Sequence, residues 1–183
     1  IAANAAAVPW VFDPVAHFAT PYRSRAAQEL LALKPTILRG NASEIMGLGG
    51  QASEAKGVDA KDTVEAAEIG AMKLAKAHNM VVVVTGETDF VTDGNRIARI
   101  SGGSPVMPLV TAMGCSLTCL MSAFAAVAQP LEAASTALAL FAEAGNAAAA
   151  EANGPGSFQP LFLDALHNTT PDMLAKSERV VWQ

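Results

Sequence analysis

Short apolar runs alternate with helical patterns along the first half of the chain. Strand-like runs occupy residues 9–15, 35–39 and 80–84, and patterns with helical spacing follow the first two at 24–33 and 42–48. The third run contains four consecutive valines, which leave no polar face for solvent. Such a strand is typical of a sheet that helices cover on both faces. The pattern predicts an α/β fold with a mostly parallel sheet and helices on each side.

A stretch of small residues separates the second strand-like run from the third. Its composition at 47–57 predicts a flexible loop, after which Asp59 can cap a helix that ends near Ala77. We find no internal repeat and no composition change that marks a linker. The sequence therefore predicts one domain over residues 1–183. Because the first residues resemble the end of a helix that enters a strand, we expect the chain to begin within that domain.

The second half of the chain opens with a hairpin pattern and is helical thereafter. Alternating segments 90–92 and 96–100 flank an Asp-Gly-Asn turn, which predicts a β-hairpin at the antiparallel edge of the sheet. Helical patterns follow, and Thr170 is suited to cap the last of them, with Pro171 as its first residue. The predicted helices are 116–128, 131–150, 158–167 and a final one after 170.

Composition narrows the classes of function. Hydrophobic residues make up 51% of the chain, charged residues only 16%, and the net charge is −5 with no basic cluster. Nucleic-acid binding is therefore not expected. The uncharged stretch between Arg99 and Glu132 is interrupted by glycine and proline, so it predicts a buried helix and not a membrane span. Cys115 and Cys119 lie four residues apart and form no disulfide framework, which indicates a reduced, cytoplasmic protein.

Polar residues follow the predicted strands where a ligand would bind. In sheets of this kind, ligands collect beyond the carboxyl ends of the strands and next to helix N-termini, which favour anions. Four segments end strands or open helices in this way. They are Asp13-Pro-Val15, Arg39-Gly-Asn-Ala-Ser-Glu44, Thr85-Gly-Glu87 and Thr111-Ala-Met-Gly-Cys115.

Taken together, these segments resemble the hydroxyethylthiazole kinase family, which has the ribokinase-like fold. The most distinctive pieces are Asn41-Ala-Ser-Glu-Ile-Met46, Val84-Thr-Gly-Glu87 and Gly154-Pro-Gly-Ser-Phe-Gln-Pro160, in that order along nearly the whole chain. The resemblance implies ATP-dependent phosphorylation of a thiazole alcohol in thiamine salvage, with Mg²⁺, by a homotrimer. It also implies that about 80 residues, with the opening strands and part of the thiazole pocket, precede this segment in the family.

The resemblance assigns the metal site to two acidic residues. Asp13 matches the family's Asp-Pro-Val segment, and Asn41-x-x-Glu44 matches the Asn-x-x-Glu motif whose acid organises Mg²⁺. Carboxylates are suitable ligands, because Mg²⁺ takes oxygen donors and retains several waters. Purely structural interpretations remain open at both positions. Asn at the N-cap with Glu three residues later is also a capping box, and an Asp before Pro is commonly a turn residue.

The ATP contacts implied by the resemblance involve Arg39, Thr85 and Asn41. Arginine supplies a permanent planar charge for phosphate oxygens, and threonine supplies a hydroxyl. From the residues alone, Arg39 could equally be a solvated residue at a strand end. Thr85 could likewise serve only to close its strand.

The turn before the most apolar helix is the implied anion hole, formed by Ala112, Met113 and Gly114. Backbone N–H groups there can stabilise charge on the transferred phosphoryl group. Cys115 occupies the position of the catalytic Asp of ribokinase relatives and is the candidate base, although it could also be a packing residue. The family commonly has Gly-Thr-Gly-Cys here, and Ala112 adopts a positive φ less easily than glycine.

The remaining cysteine and the histidines are given structural roles. Cys119 is expected in the core, one turn after Cys115. His17, His78 and His167 have no metal-ligand spacing and are interpreted as structural or exposed. Two alternatives to the thiazole kinase remain: another ribokinase-like kinase, such as one acting on a hydroxymethylpyrimidine, and a non-catalytic nucleotide-binding module.

Overall fold

A computed structural model describes residues 1–50 and 60–183, with the side chains of the second range from residue 66 onward. One sheet of six strands runs through the molecule, in the order β1 to β6. The helices α1 to α8 alternate with the first strands and then follow one another along the chain. The strands are β1 Val11–Phe12, β2 Ile37–Asn41, β3 Val81–Thr85, β4 Thr88–Thr92, β5 Ile97–Ser101 and β6 Val180–Trp182. The helices are α1 Ala2–Ala5, α2 Pro21–Ala32, α3 Ala42–Leu48, α4 Ala60–His78, α5 Met113–Ala125, α6 Pro130–Glu151, α7 Pro155–Asn168 and α8 Pro171–Lys176.

The four valines of β3 have the environment that their sequence predicts. Val81 and Val83 pack in one hydrophobic cluster with α5, α6 and α7, whereas Val82 and Val84 pack in a second cluster with α2, α3 and α4. None of the four is more than 7% exposed. Successive side chains of a strand point to opposite faces, so a strand of valines needs a helix layer on each side. The doubly covered α/β sheet is confirmed.

The sheet is mixed, and the prediction of a mostly parallel sheet was wrong for the described residues. β1 pairs with β2 and β2 with β3 in parallel, but β3–β4, β4–β5 and β5–β6 are antiparallel. The predicted hairpin is present as β4 and β5. It does not form the edge, because the three residues of β6 pair with β5 through the register Arg99 to Val181. β6 is short and follows four helices, so no hairpin turn in the sequence predicts it.

Most helix predictions are confirmed, with shifted boundaries. Thr20 caps α2 through its side chain, and Thr170 caps α8 by accepting a hydrogen bond from the N–H of Met173 at 3.3 Å. The predicted loop at 47–57 and the proposed cap Asp59 fall largely outside the described residues. Among the described residues, no helix combines the length and the apolar character that a membrane span requires.

Ala112 is the N-cap of α5 and lies in the left-handed region, with φ 66° and ψ 11°. Its carbonyl accepts the first hydrogen bond of the helix, from the N–H of Ser116 at 2.9 Å. Alanine thus takes the positive φ at this position, although glycine adopts it more easily. A left-handed alanine is strained by roughly 1 kcal/mol, because its Cβ approaches the following carbonyl.

This strain predicts an unusual result for an alanine-to-glycine substitution. Ala112→Gly should leave the free energy of unfolding unchanged or raise it by up to about 1 kcal/mol, since relief of strain offsets the added chain entropy. Ala123→Gly, at an exposed interior position of the same helix, should lower it by about 1 kcal/mol. Urea unfolding of both variants measures the difference. Equal destabilisation by the two substitutions would contradict strain at Ala112.

Candidate functional site

A cleft of about 920 Å³ lies at the carboxyl ends of β2 and β3. Its size is in the range of small-molecule sites. Its lining combines polar and apolar residues. The polar ones include Arg39, Asn41, Thr85, Glu87 and Asp89, and the apolar ones include Met107, Pro108, Met113, Leu117, Leu138 and Phe141. Such a lining suits a ligand that has both a charged group and an apolar group.

Arg39 lines this cleft and links the segments of three strands. Its Nη1 donates to Oδ2 of Asp13 at 2.9 Å, and its Nη2 donates to the hydroxyl of Thr85 at 3.1 Å. The Arg39 and Asp13 side chains are only 13% and 11% exposed. The buried Nε of Arg39 has no hydrogen-bond partner among the described residues. The site therefore holds a permanent cation whose Nε–H makes no hydrogen bond to the described residues.

Helix α5 contributes a glycine and a threonine to the same cluster. A Cβ on Gly114 would lie 2.7 Å from Nη1 of Arg39, so the glycine lets the guanidinium lie against the first turn of α5 without moving. One turn later, the hydroxyl of Thr118 lies 2.9 Å from Oδ2 of Asp13 and 3.1 Å from the carbonyl oxygen of Gly114. We call these residues the Asp13 cluster: Asp13, Arg39, Thr85, Gly114 and Thr118.

Glu44 forms the capping box that its spacing predicts. Oδ1 of Asn41 accepts from the N–H of Glu44 at 3.0 Å, and Oε2 of Glu44 accepts from the N–H of Asn41 at 2.9 Å. Its other oxygen, Oε1, accepts from the N–H of Ala16 at 2.9 Å. The Glu44 carboxylate therefore ties α3 to the loop that carries Asp13.

The packing around Glu44 leaves little space. A Cβ on Gly40 would lie 3.1 Å from Cβ and 3.2 Å from Oε2 of Glu44, which explains a glycine in the middle of this segment. His17 is buried and donates from Nε2 to the carbonyl oxygen of Glu44, with 3.0 Å between the two atoms. The structural interpretation of His17 is thereby confirmed.

The two proposed metal ligands are connected through one loop, although Glu44 itself lies in the first turn of α3. Asp13 follows β1 in the same loop as Ala16, whose N–H binds Glu44. Within residues 1–50 and 66–183, no group of three or more His, Cys, Asp or Glu side chains could hold a metal ion. Any metal would therefore take water or a ligand's oxygens as its remaining donors.

The predicted anion hole lies beside the cluster, but its cysteine does not line the cleft. Met113 and Gly114 are lining residues, whereas Cys115 is exposed and absent from the lining. The first N–H groups of a helix have no intrahelical acceptor. The first turn of α5 therefore offers donors next to Arg39.

The prediction that Cys119 is a core residue was wrong. Helix α5 buries Leu117, Met121 and Ala125, which recur every four residues on one face. Cys115 and Cys119 share a different face and are both exposed. The four-residue spacing identified a common face correctly, but it could not tell which side of the helix meets the sheet.

Asp89 is a cleft residue that the sequence analysis missed. Its Oδ1 accepts from the N–H of Gly86 at 3.0 Å and so closes the turn between β3 and β4. Burial raises the pKa of Asp89 to about 6, although the Gly86 hydrogen bond and the charge of Arg39 act to lower it. An acid three residues after the glycine of a tight turn is the only sequence signal for this role.

The raised pKa predicts how stability depends on pH. Because the pKa of Asp89 is about 6 in the folded protein against an ordinary 3.8, folding takes up a proton between these values. The free energy of unfolding should therefore fall as pH rises from about 4 to about 6, and the loss persists above. Asp89→Asn retains an acceptor for Gly86 and cannot ionise. It should be more stable than the parent above pH 6, by on the order of 1 to 3 kcal/mol.

Urea unfolding of the parent and of Asp89→Asn over this pH range tests the prediction, with the exposed Asp164→Asn as control. The advantage of Asp89→Asn should vanish below about pH 4, where both forms are neutral. A constant difference between the two proteins at every pH would contradict the assignment.

Comparison with known proteins gives a consistent answer. The sequence profile of the Hydroxyethylthiazole kinase family matches residues 1–172. A hydroxyethylthiazole kinase from Gemmatimonas aurantiaca is 61% identical over 180 residues, which are 98% of this chain and 65% of that protein. One from Rhizobium rhizogenes is 56% identical over 182 residues, again 98% of this chain and 68% of that protein. The chain thus spans about two thirds of the length of these relatives.

Solved structures agree. Hydroxyethylthiazole kinase from Pyrococcus horikoshii superposes with a TM-score of 0.89 at 34% identity, over 99% of this chain and 68% of that one. A pyridoxal kinase from Staphylococcus aureus, at 20% identity and a TM-score of 0.59 over 76% of this chain and 52% of its own, shares the fold. The resemblance drawn from the sequence motifs is confirmed, and the chain belongs to the hydroxyethylthiazole kinase family.

Proposed function

We propose that the protein transfers the γ-phosphoryl group of ATP to the primary alcohol of hydroxyethylthiazole, a reaction of thiamine salvage. The observation that carries the proposal is the position of Arg39. Its guanidinium lies against Gly114 at the first turn of α5, so a permanent cation and unpaired helical N–H groups converge at one cleft. A triphosphate needs this combination of charge and donors.

The polar and the apolar lining residues would contact different parts of the substrates. Arg39, Thr85 and Asn41 would contact the phosphates of ATP, and the apolar lining residues would accommodate a heteroaromatic ring. The first turn of α5, from Ala112 to Gly114, would stabilise charge on the phosphoryl group in transfer. Positioning and charge stabilisation then supply most of the rate, as is general for phosphoryl transfer.

Cys115 is the proposed base. Its thiolate would accept the proton of the substrate alcohol while the alcohol oxygen bonds to the γ-phosphorus and ADP departs. Cys115 directly follows Gly114, which lines the cleft, but Cys115 itself lies outside the lining and is exposed. The proposal therefore requires a substrate alcohol that reaches over the first turn of α5.

Mg²⁺ is proposed as the metal, held by Asp13 and Glu44. Each oxygen of Glu44 accepts one backbone hydrogen bond, and a carboxylate oxygen has capacity for a second interaction. Within the described part of the chain, Oδ1 of Asp13 has only a 3.3 Å hydrogen bond from the N–H of Val15. These donors fit a cation held largely through water, and Mg²⁺ would supply charge neutralisation of the phosphates.

The resemblance also implies a cytoplasmic homotrimer with active sites between subunits, and we propose this assembly. Light scattering from the complete protein measures the assembly directly.

A direct assay tests the function. The complete protein, with ATP and Mg²⁺, should convert hydroxyethylthiazole to its phosphate, detected by mass spectrometry, and a hydroxymethylpyrimidine should not compete. Preferred turnover of the pyrimidine would favour the other kinase. Binding of ATP without turnover of either alcohol would leave a nucleotide-binding module.

The metal assignment predicts two effects of Glu44→Gln. Glutamine has one acceptor oxygen and would turn its NH₂ towards the N–H of either Ala16 or Asn41, so stability should fall by about 1 to 3 kcal/mol. If Glu44 also organises the metal, the Mg²⁺ concentration for half-maximal activity should rise by about tenfold or more. Chemical unfolding and a magnesium titration measure the two effects. Lower stability with an unchanged magnesium requirement would leave Glu44 only its capping role.

The base assignment predicts a contrast between the two cysteines. Cys115→Ala should lower kcat by about 10²- to 10⁴-fold and leave ATP binding nearly unchanged. Cys115→Asp should retain appreciable activity, since it restores the residue of ribokinase relatives. Cys119→Ala is the matched control and should change neither kcat nor, because Cys119 is exposed, stability. Parental kcat in Cys115→Ala would mean that the backbone of the anion hole acts without the thiol.

A further inference from the structure

We propose that Thr118 is a positioning residue for the phosphotransfer site, one that fixes Asp13 relative to the first turn of α5. The proposal rests on the function proposed above. It concerns a residue outside the strand-end motifs, 105 positions from Asp13 in the sequence.

The direction of the hydrogen bond between Thr118 and Asp13 follows from the acceptors near the Thr118 hydroxyl. The Thr118 hydroxyl has one proton and two acceptors in reach, Oδ2 of Asp13 at 2.9 Å and the carbonyl oxygen of Gly114 at 3.1 Å. The Gly114 carbonyl also faces the helical N–H of residue 118. A carboxylate is the stronger acceptor, and it is the nearer one. The hydroxyl therefore donates to Asp13.

This bond determines which oxygen of Asp13 remains available. Arg39 and Thr118 both donate to Oδ2. Among the described residues, Oδ1 has only the 3.3 Å bond from the N–H of Val15. Two donors on one oxygen prevent the carboxylate from rotating and leave Oδ1 as the oxygen with capacity for a cation or its water.

Asp13 needs such support because its own strand supplies little. β1 contains two residues, Val11 and Phe12, and Asp13 follows it in a loop. Thr118 instead belongs to a helix of 13 residues whose first turn forms the proposed anion hole. The hydroxyl thus connects the acid to the helix on which the phosphoryl group would lie. Hydrogen bonds of this kind to metal ligands typically contribute 10- to 100-fold in metal affinity or activity, roughly.

Neighbouring hydroxyls on α5 provide controls. Ser116 and Ser122 donate to the carbonyl oxygens of Ala112 and Thr118, at 3.0 and 2.8 Å. Both contacts stay within the helix. Removing the Ser122 hydroxyl therefore reproduces the loss of a hydroxyl from α5 but leaves the Thr118 hydroxyl and its bond to Asp13 in place.

The experiment compares Thr118→Val, Thr118→Ala, Thr118→Ser and Ser122→Ala in the complete protein. Loss of the hydroxyl in the first two should raise the Mg²⁺ concentration for half-maximal activity by about 10- to 100-fold. Thr118→Ser should remain within about threefold of the parent, since it keeps the hydroxyl. Ser122→Ala should match the parent. Thr118→Ala provides the same test if Thr118→Val does not fold.

Calorimetric titration with a non-hydrolysable ATP analogue and Mg²⁺ provides a readout without turnover. The analogue's magnesium-dependent affinity should fall in Thr118→Val and Thr118→Ala and recover in Thr118→Ser. Lower stability with unchanged magnesium dependence in both assays would overturn the proposal. A parent that binds the magnesium complex but phosphorylates no thiazole would instead count against the proposed function, and the calorimetry would still decide the role of Thr118.

Discussion

The ion pair between Arg39 and Asp13 is the interaction on which the site depends. Both side chains are nearly buried and their charged atoms are 2.9 Å apart. Taking two charges out of water costs several kcal/mol per ion, and their attraction only partly offsets this cost. A buried pair is therefore weak evidence for stability. Its position, where β1, β2, β3 and α5 meet, is instead consistent with a charged site assembled in advance for a charged ligand.

Close approach of backbone and charge is the second constraint. Gly114 allows the Arg39 guanidinium to lie against α5, and Gly40 allows Glu44 to lie over β2. A Cβ at Gly114 would push the Arg39 guanidinium away from α5, and a Cβ at Gly40 would crowd the Glu44 side chain. The strained Ala112 lies in the same turn as Gly114, and its conformation places the start of α5 beside Arg39. Small residues and one strained residue thus bring the donors together.

Local signals in the sequence predicted much of the fold. The valines of β3 predicted two-sided burial, the Asp-Gly turn predicted the hairpin, and the spacing of Asn41 and Glu44 predicted the capping box. These features depend on neighbours within a few residues. β6 has no such local signal. Its pairing with β5 depends on how helices α6 to α8 bring the chain back to the sheet.

The site was predicted less completely than the fold. Motif resemblance selected Asp13, Arg39 and Thr85, which the structure brings together. It missed Thr118, whose contact with Asp13 arises only from tertiary packing, and Asp89, whose raised pKa depends on burial in the cleft. The burial of Cys119 was mistaken because helical spacing identifies a shared face without its direction. Long-range contacts and burial are the information that one sequence does not contain.

A crystal structure of the complete protein with Mg²⁺ and a non-hydrolysable ATP analogue would test the central claim most directly. The account predicts that the triphosphate lies within hydrogen-bonding distance of Arg39, Thr85 and the first N–H groups of α5, with the metal beside Asp13. Phosphates bound elsewhere in the cleft, with no contact to Arg39 or to the first turn of α5, would contradict it.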